Sequence, residues 1–205
     1  MKVNNINSTV QFKSKINIVS PKHYNYVVNT MSKDKNYHNI FEWLIRNDLS
    51  NNHKLNAFRT KVSQISTEEI RSCIAGFFVD NQEKIINLAF HLYDDLKNIE
   101  KLDVLNKYVK GSNGLLIGAR SVYQHSLPIF ENFEKEAETK KIPISIFKNF
   151  RGKWEGNIAY DSMKDEYYIC IKDIQNPKIY VQNKYDLESA FSKYYISPND
   201  SLEFL

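Results

Sequence analysis

Cys73 and His91 are the two residues whose chemical types and placement point most directly to catalysis. A cysteine thiol has an ordinary pKa of about 8.5, and a neighbouring imidazole that accepts its proton produces the nucleophilic thiolate. The two residues stand near the ends of a segment in which apolar runs at residues 73–79 and 85–92 flank the polar residues 80–84. Such a pattern predicts a β-hairpin that carries Cys73 in its first strand and His91 in its second.

The turn of this hairpin sets the register between its two strands. If Asp80 pairs with Lys84, then Cys73 lies directly opposite His91. Directly opposed side chains share one face of the sheet, with Cβ atoms about 4.5–5.5 Å apart. A slip of one residue would move one of the two side chains to the other face. The sequence therefore predicts a cysteine–histidine dyad that depends on this register.

A β-α-β unit is expected after the hairpin. Residues 114–119 and 143–150 read as short apolar strands, and residues 127–140 between them read as an amphipathic helix. Such a unit pairs its strands in parallel through a right-handed crossover. Residues 157–161 and 166–172 then predict a second hairpin.

The two ends of the chain carry weaker patterns. The N-terminal third predicts a strand at residues 10–19, a helix that begins at Pro21, a second helix at residues 38–46 and a strand at residues 58–65. The segment 93–108 is expected to be a helical or irregular excursion. The C-terminal part predicts a strand at residues 178–182, a closing helix at residues 186–194 and a final irregular tail.

The order of these features resembles a known enzyme family over residues 72–172. Ser72-Cys73 heads a strand, His91 ends the next strand, and Thr67 stands six positions before the cysteine. Leu-Leu-Ile-Gly-Ala-Arg-Ser at residues 115–121 precedes the helix, and Lys-Ile-Pro-Ile-Ser-Ile at residues 141–146 follows it. This order resembles the chemoreceptor glutamine deamidases known as CheD, whose fold is shared with the catalytic domain of the cytotoxic necrotizing factor toxins. The approach to the cysteine contains no glycine here, whereas family members usually have a glycine-rich one.

The resemblance implies a fold and a reaction. The fold is α/β (α+β), a layered β-sheet core with flanking helices at residues 61–205, preceded by a strand-and-helix elaboration at residues 1–60. The reaction is deamidation of a glutamine side chain in a protein substrate through a thioester on Cys73, with His91 as acid and base and Thr67 completing the site. We expect the substrate or oxyanion vicinity to include Ser72, Arg120 and Ser121, with no cofactor and no metal.

Composition limits the other function classes. The chain has 205 residues, 42% of them apolar, and its 28 Lys and Arg are interspersed with 24 Asp and Glu. The net charge is +4, and the Lys and Arg residues are not clustered in a basic block, so nucleic-acid binding is not expected. Two cysteines cannot build a disulfide framework, and no run approaches the roughly 18 apolar residues of a membrane span. We therefore expect a protein that does not insert into membranes.

Three alternatives stay open at this point. With an amine in place of water as the acyl acceptor, the same dyad would catalyse transglutamination. With a peptide bond as substrate, it would act as a peptidase. A non-catalytic interaction protein or secreted effector would use Cys73 only for packing. The N-terminus lacks the apolar stretch of a general secretory signal, so the expected location is the cytoplasm where the protein is made, with export by a specialised system open. The oligomeric state is not predicted.

Overall fold

The computed structural model describes residues 14–40, 57–60, 64–80, 85–93, 106, 109, 111, 113–123 and 125–205. Within them the strands are β1 (Ser14–Ile18), β2 (Tyr37–Asn39), β3 (Ala57–Thr60), β4 (Gln64–Ile70), β5 (Ile74–Asp80), β6 (Ile85–Leu92), β7 (Asn113–Gly118), β8 (Ile144–Phe150), β9 (Trp154–Asp161), β10 (Glu166–Asp173), β11 (Phe191–Tyr195) and β12 (Asp200–Phe204). The helices are α1 (Pro21–Met31), α2 (Ser126–Thr139) and α3 (Lys184–Ala190).

These strands form two mixed sheets. Sheet A has the strand order β12-β1-β10-β9-β4-β2, and sheet B has the order β11-β8-β7-β5-β6-β3. Strand β1 lies between β12 and β10 and is parallel to both, so this N-terminal strand is an interior strand of sheet A. Strand β3 pairs antiparallel with β6 at one side of sheet B.

The inner faces of the two sheets pack against each other and form the largest apolar core. Phe77 of sheet B meets Tyr167 of sheet A edge to face, with ring centroids 6.2 Å apart. Alternate residues along each strand point into this core, which is the pattern of a sheet with one face buried against a second sheet. The core also contains Leu187 and Ala190 of α3.

Helices cover the outer face of each sheet. Helix α2 packs on sheet B, where Phe133 stacks on Phe90 with ring centroids 4.4 Å apart. Helix α1 packs on sheet A through Tyr24 and Met31. The layered α+β core with flanking helices is therefore confirmed. None of the helices in the described ranges is both long and apolar enough to cross a membrane.

Helix α1 begins as the sequence predicts. The Ser20 hydroxyl accepts a hydrogen bond from the His23 N–H, and Pro21 occupies the first turn, where its missing N–H costs nothing. Fully buried Tyr24 donates its hydroxyl to the Ile158 carbonyl at 3.1 Å and lies 3.4 Å from the Thr67 carbonyl. The helix is thereby tied to the backbone of sheet A.

Both predicted hairpins and the β-α-β unit are confirmed. Strands β5 and β6 pair antiparallel, as do β9 and β10, and β7 pairs in parallel with β8 across helix α2. The turn residues 81–84 of the first hairpin lie outside the described residues.

The predictions for the two ends of the chain need correction. His38 and Asn39 lie in β2 and not in a helix, and residues 41–46 of that prediction lie outside the described residues. The expected strand at residues 58–65 is divided between β3 and β4, and residues 61–63 between them are not described. Most of the excursion at residues 93–108 is also outside the described part.

The C-terminal predictions are wrong in three places. Residues 178–182 contain only an isolated bridge from Tyr180 to Lys172 and no strand. The closing helix ends at Ala190, and the next five residues form β11 against β8. The expected tail is β12, which pairs with β1.

A partly buried polar network attaches β12 to sheet B. The carboxylate of Asp200 accepts hydrogen bonds from the hydroxyl of Ser145 and from the amide of Asn113, the latter at 3.2 Å. The Asn113 amide also donates to the Ser14 hydroxyl at 3.1 Å, and that hydroxyl donates to Asp165 at 2.7 Å. Burial raises the pKa of the Asp200 carboxyl to about 6, and the nearby charge of Asp165 adds to the rise.

We predict that Asp200→Asn changes how stability depends on pH. Because the folded-state pKa of Asp200 is raised from its ordinary value, its contribution is fully present below about pH 4 and is lost as the pH rises through about 6. The wild-type free energy of unfolding, measured against that of the variant by urea denaturation, should fall by up to about 3 kcal/mol between pH 4 and pH 7.

The control is Glu203→Gln, an exposed carboxylate on the same strand that pairs with Lys15. This variant should follow the wild-type pH dependence. A constant difference between wild type and Asp200→Asn across this pH range would contradict the prediction.

Candidate active site

The site lies where the chain passes from one sheet to the other. Strand β4 of sheet A ends at Ile70, residues 71–73 form a bend, and β5 of sheet B begins at Ile74. Cys73, the last residue of this bend, is buried and only 5% exposed. The bend therefore brings a thiol to the end of the sandwich where both sheets contribute residues.

The predicted register between Cys73 and His91 is wrong. Ala75, not Cys73, lies directly opposite His91, and Ile74 lies opposite Leu92. Cys73 therefore stands two residues before the partner of His91. The separation of about 4.5–5.5 Å between directly opposed Cβ atoms therefore does not apply to this pair.

The difference of two residues arises from two single-residue shifts. Asp80 pairs with Ile85 and not with Lys84, which adds one residue to the turn. Strand β6 then has one extra residue at Asn87, because Val79 pairs with Ile86 whereas Phe78 pairs with Leu88. Either shift alone would place the two side chains on opposite faces of the sheet. Together they move the partner of His91 to Ala75, and Cys73 lies in the bend before β5, outside the paired residues.

Thr67 and His91 are in direct contact across the two sheets. The Thr67 Oγ1 atom, from β4 of sheet A, lies 2.6 Å from the Nδ1 atom of His91, from β6 of sheet B. Thr67 is fully buried and His91 is 1% exposed. The short distance is that of a hydrogen bond between a hydroxyl and an imidazole nitrogen. Two of the three predicted catalytic residues, Thr67 and His91, are thus joined by a hydrogen bond. The third, Cys73, lies on the bend between β4 and β5.

A β-bulge positions Thr67 and turns the chain toward Cys73. Thr67 pairs with Ile158, but Ile70 pairs with Gly156, so β4 has two residues where β9 has one. Glu69 has a φ of 55°, and its N–H donates to Asn157 Oδ1 at 2.9 Å. Bulges redirect a strand and often stand beside active sites. Here the bulge separates the Thr67 position from the bend that carries the cysteine.

Burial dominates the protonation of the thiol and the imidazole. It raises the pKa of the Cys73 thiol to about 11, although hydrogen bonds from the bend's backbone and from the Ser72 hydroxyl, and the charge of Arg71, favour the thiolate. Burial likewise lowers the pKa of the His91 imidazole to about 4. Both side chains are therefore neutral at pH 7, and the site rests as a thiol and an uncharged imidazole.

The segment between β7 and α2 holds the bend from the other side. The Ala119 N–H donates to the Cys73 carbonyl at 2.9 Å, and the Ser126 hydroxyl donates to the Ser72 carbonyl at 2.7 Å. Gly118 has a φ of 125°, and a Cβ there would lie 2.2 Å from the Cys73 carbonyl oxygen. Only glycine allows this approach of the two backbones.

The three residues expected in the substrate vicinity occupy different positions. Ser72 adjoins Cys73, and its side chain lowers the pKa of the thiol against the larger effect of burial. The Arg120 guanidinium donates from Nη2 to the Trp154 carbonyl at 2.7 Å. Ser121 is exposed, and its N–H donates to Asn149 Oδ1 at 2.8 Å.

Two features of the site were missed at the level of sequence. Ser126 is fully buried beside the bend, but its position at the start of a helix gave no signal of a contact with Ser72. Glu155 is a buried carboxylate that binds Arg71 Nε at 2.6 Å and Lys172 Nζ at 3.3 Å. These partners are far apart in sequence, so nothing local predicts the pairing.

In the ranges that the structure describes, no three His, Cys, Asp or Glu side chains come together as a metal site. No protein-family model matches this chain, and no curated protein matches it either.

We predict that the Thr67 hydroxyl stabilises the fold through His91. Thr67→Val keeps the size of the side chain but leaves the buried Nδ1 atom without its hydroxyl, which should lower the free energy of unfolding by about 1–3 kcal/mol. Thr67→Ser retains the hydroxyl and should lose less. Urea denaturation at pH 7 measures both variants. A loss in Thr67→Ser that equals or exceeds the loss in Thr67→Val would contradict the prediction.

Proposed function

We propose that this protein deamidates glutamine side chains of a protein substrate, with Cys73 as nucleophile, His91 as base and acid, and Thr67 orienting the imidazole. The Thr67–His91 hydrogen bond carries the proposal. A nucleophile and base require a third group that fixes the tautomer of the base. The resemblance to the CheD-like deamidases assigns that place to the residue six positions before the cysteine, and this residue is Thr67.

The hydrogen bond also determines which imidazole nitrogen is the base. Thr67 occupies Nδ1, so Nε2 is the nitrogen that takes the proton of the thiol. For Nε2 to have a lone pair in a neutral ring, Nδ1 must carry the proton and donate it to Thr67 Oγ1. Thr67 thus acts as an acceptor that holds His91 in its basic tautomer.

The neutral resting state makes proton transfer part of the attack. As the Cys73 sulfur bonds to the carboxamide carbon, its proton passes to His91, and the carbonyl oxygen becomes an oxyanion. Backbone N–H groups at the bend are the donors for this charge. His91 then returns the proton to the departing nitrogen, and the C–N bond breaks with release of ammonia and formation of the thioester.

The thioester is resolved by water. His91 takes a proton from the water as its oxygen bonds to the acyl carbon, and returns it to the sulfur as the C–S bond breaks. The products are glutamate and the free thiol. An amine in place of water would give a transglutaminase with the same residues.

Burial of the site favours a side-chain amide over a backbone amide. Cys73 is 5% exposed and His91 is 1% exposed. A peptide bond has chain on both sides and requires an open cleft to reach a nucleophile, whereas the amide of glutamine is at the end of a flexible side chain. The peptidase alternative is therefore disfavoured.

We predict that wild-type protein converts specific glutamines to glutamates in lysate proteins and that Cys73→Ala does not. Mass spectrometry detects the conversion, and enzymatic detection of ammonia quantifies it. Cys170→Ala is the matched control, because Cys170 is a buried thiol on the outer face of sheet A. Equal conversion by wild type and Cys73→Ala would remove Cys73 from the reaction.

The burial of the thiol favours a second candidate, a non-catalytic interaction protein. In this case the raised pKa of Cys73 reflects packing alone. The measurement that separates the two is alkylation of Cys73 by iodoacetamide at pH 7 in wild type and in His91→Gln. A catalytic site should lose at least about tenfold in rate with the base removed. An unchanged rate in His91→Gln supports the non-catalytic protein.

A further inference from the structure

Ser126 joins two backbone segments beside the proposed nucleophile. Its hydroxyl donates to the Ser72 carbonyl at 2.7 Å and accepts from the Arg120 N–H at 2.8 Å. The side chain is fully buried at the first position of helix α2. One hydroxyl therefore connects Ser72, the residue before the cysteine, to Arg120, the first residue of the turn between β7 and α2.

Two hydrogen bonds from residues between β7 and the start of α2 orient the bend at residues 71–73. The Ser126 hydroxyl fixes the Ser72 carbonyl, and the Ala119 N–H fixes the Cys73 carbonyl at 2.9 Å. Because a peptide group is planar, a fixed carbonyl also fixes the N–H of the following residue. The direction of the Cys73 N–H, a donor for the oxyanion in the proposed reaction, depends on Ser126.

The turn on the other side of Ser126 faces solvent. Val122 is 82% exposed and Tyr123 is 44% exposed, so two apolar side chains project from it. Ala119, immediately before the turn, has a φ of 66°, which is unusual for a residue with a side chain. Asn149, with a φ of 62°, accepts the Ser121 N–H at 2.8 Å. Ala119 and Asn149, both in the left-handed region of backbone conformation, thus hold the start of this exposed turn.

We propose that Ser126 is the positioning residue through which the exposed turn, residues 120–123, controls the reactivity of Cys73. The bend and the turn share one hydroxyl, so a displacement of the turn moves the Ser72–Cys73 peptide group. The link to turnover rests on the proposed function, whereas the link to thiol reactivity does not.

The first test measures thiol reactivity in Ser126→Ala. Loss of the hydroxyl frees the Ser72 carbonyl and opens the bend to water, so the pKa of the Cys73 thiol should move toward its ordinary value. At pH 8, the rate of Cys73 alkylation by iodoacetamide should rise about tenfold for each pH unit by which the pKa of the thiol falls. The pH profile of the rate locates the pKa, and Cys170 in the same molecule reports general loosening.

Two variants separate positioning from stability. Ser126→Thr retains the hydroxyl and should restore the wild-type rate and pH profile. Ser145→Ala removes an equally buried serine hydroxyl at the other end of the sandwich, where it bonds to Asp200, and should leave Cys73 unchanged. An increase in Cys73 alkylation in Ser145→Ala equal to that in Ser126→Ala would overturn the proposal.

A double-mutant cycle tests the transmission through the turn. Asn149→Gly releases the Ser121 N–H and suits the left-handed backbone at residue 149. It should raise the Cys73 alkylation rate in the wild-type background but not in Ser126→Ala, because the connection to the bend is already absent there. Additive effects, or no effect of Asn149→Gly alone, would contradict the proposal. This variant also provides the test if Ser126→Ala fails to fold.

Deamidation provides the last measurement. Ser126→Ala should lower turnover at least about tenfold while alkylation rises, because a displaced nucleophile is more accessible but badly oriented. If wild type shows no deamidation but the alkylation results hold, the proposed function fails and the positioning role stands. If deamidation occurs and alkylation is the same in all variants, the positioning role fails alone.

Discussion

The packing of two sheets by their inner faces is the constraint on which the rest of the structure depends. It places Thr67 of one sheet against His91 of the other and excludes water from both. The hydrogen bond between them is therefore formed in a medium where an unsatisfied partner is costly. The same packing buries the thiol on the connecting bend. The geometry that assembles the proposed site thus also makes it neutral at rest.

Burial has opposite effects at the two ends of the sandwich. It lowers the pKa of His91 to about 4, so the stability that this neutral group contributes is lost as the pH falls from about 6.5 through 4. It raises the pKa of Asp200 to about 6, so stability from that group is lost as the pH rises through 6. Between pH 4 and 6 the two trends oppose each other. The pH dependence of the whole protein can therefore look flat although each group has a large effect.

The sequence predicts the strands of this fold better than their exact pairing. Alternating apolar runs on either side of polar residues identify the first hairpin, but nothing in them marks the unpaired Asn87 or the length of the turn. The family resemblance predicts Thr67 by its spacing from Cys73, whereas its contact with His91 joins two sheets that no local pattern relates. Strand β12 was missed because its five residues are half exposed and its pairing partner, β1, lies at the far end of the chain.

The corrected register changes what controls the proposed chemistry. Had Cys73 stood directly opposite His91, the strand pairing alone would have set the distance between thiol and imidazole. Since Ala75 takes that position, the approach of the sulfur to the imidazole depends on the bend at residues 71–73. A bend is held by its own contacts and not by a ladder of hydrogen bonds. The Ser126 hydroxyl and the Ala119 N–H are those contacts, and the β-bulge of β4 precedes the bend. In the proposed reaction, the reactivity of Cys73 therefore depends on the bend and on these two hydrogen bonds.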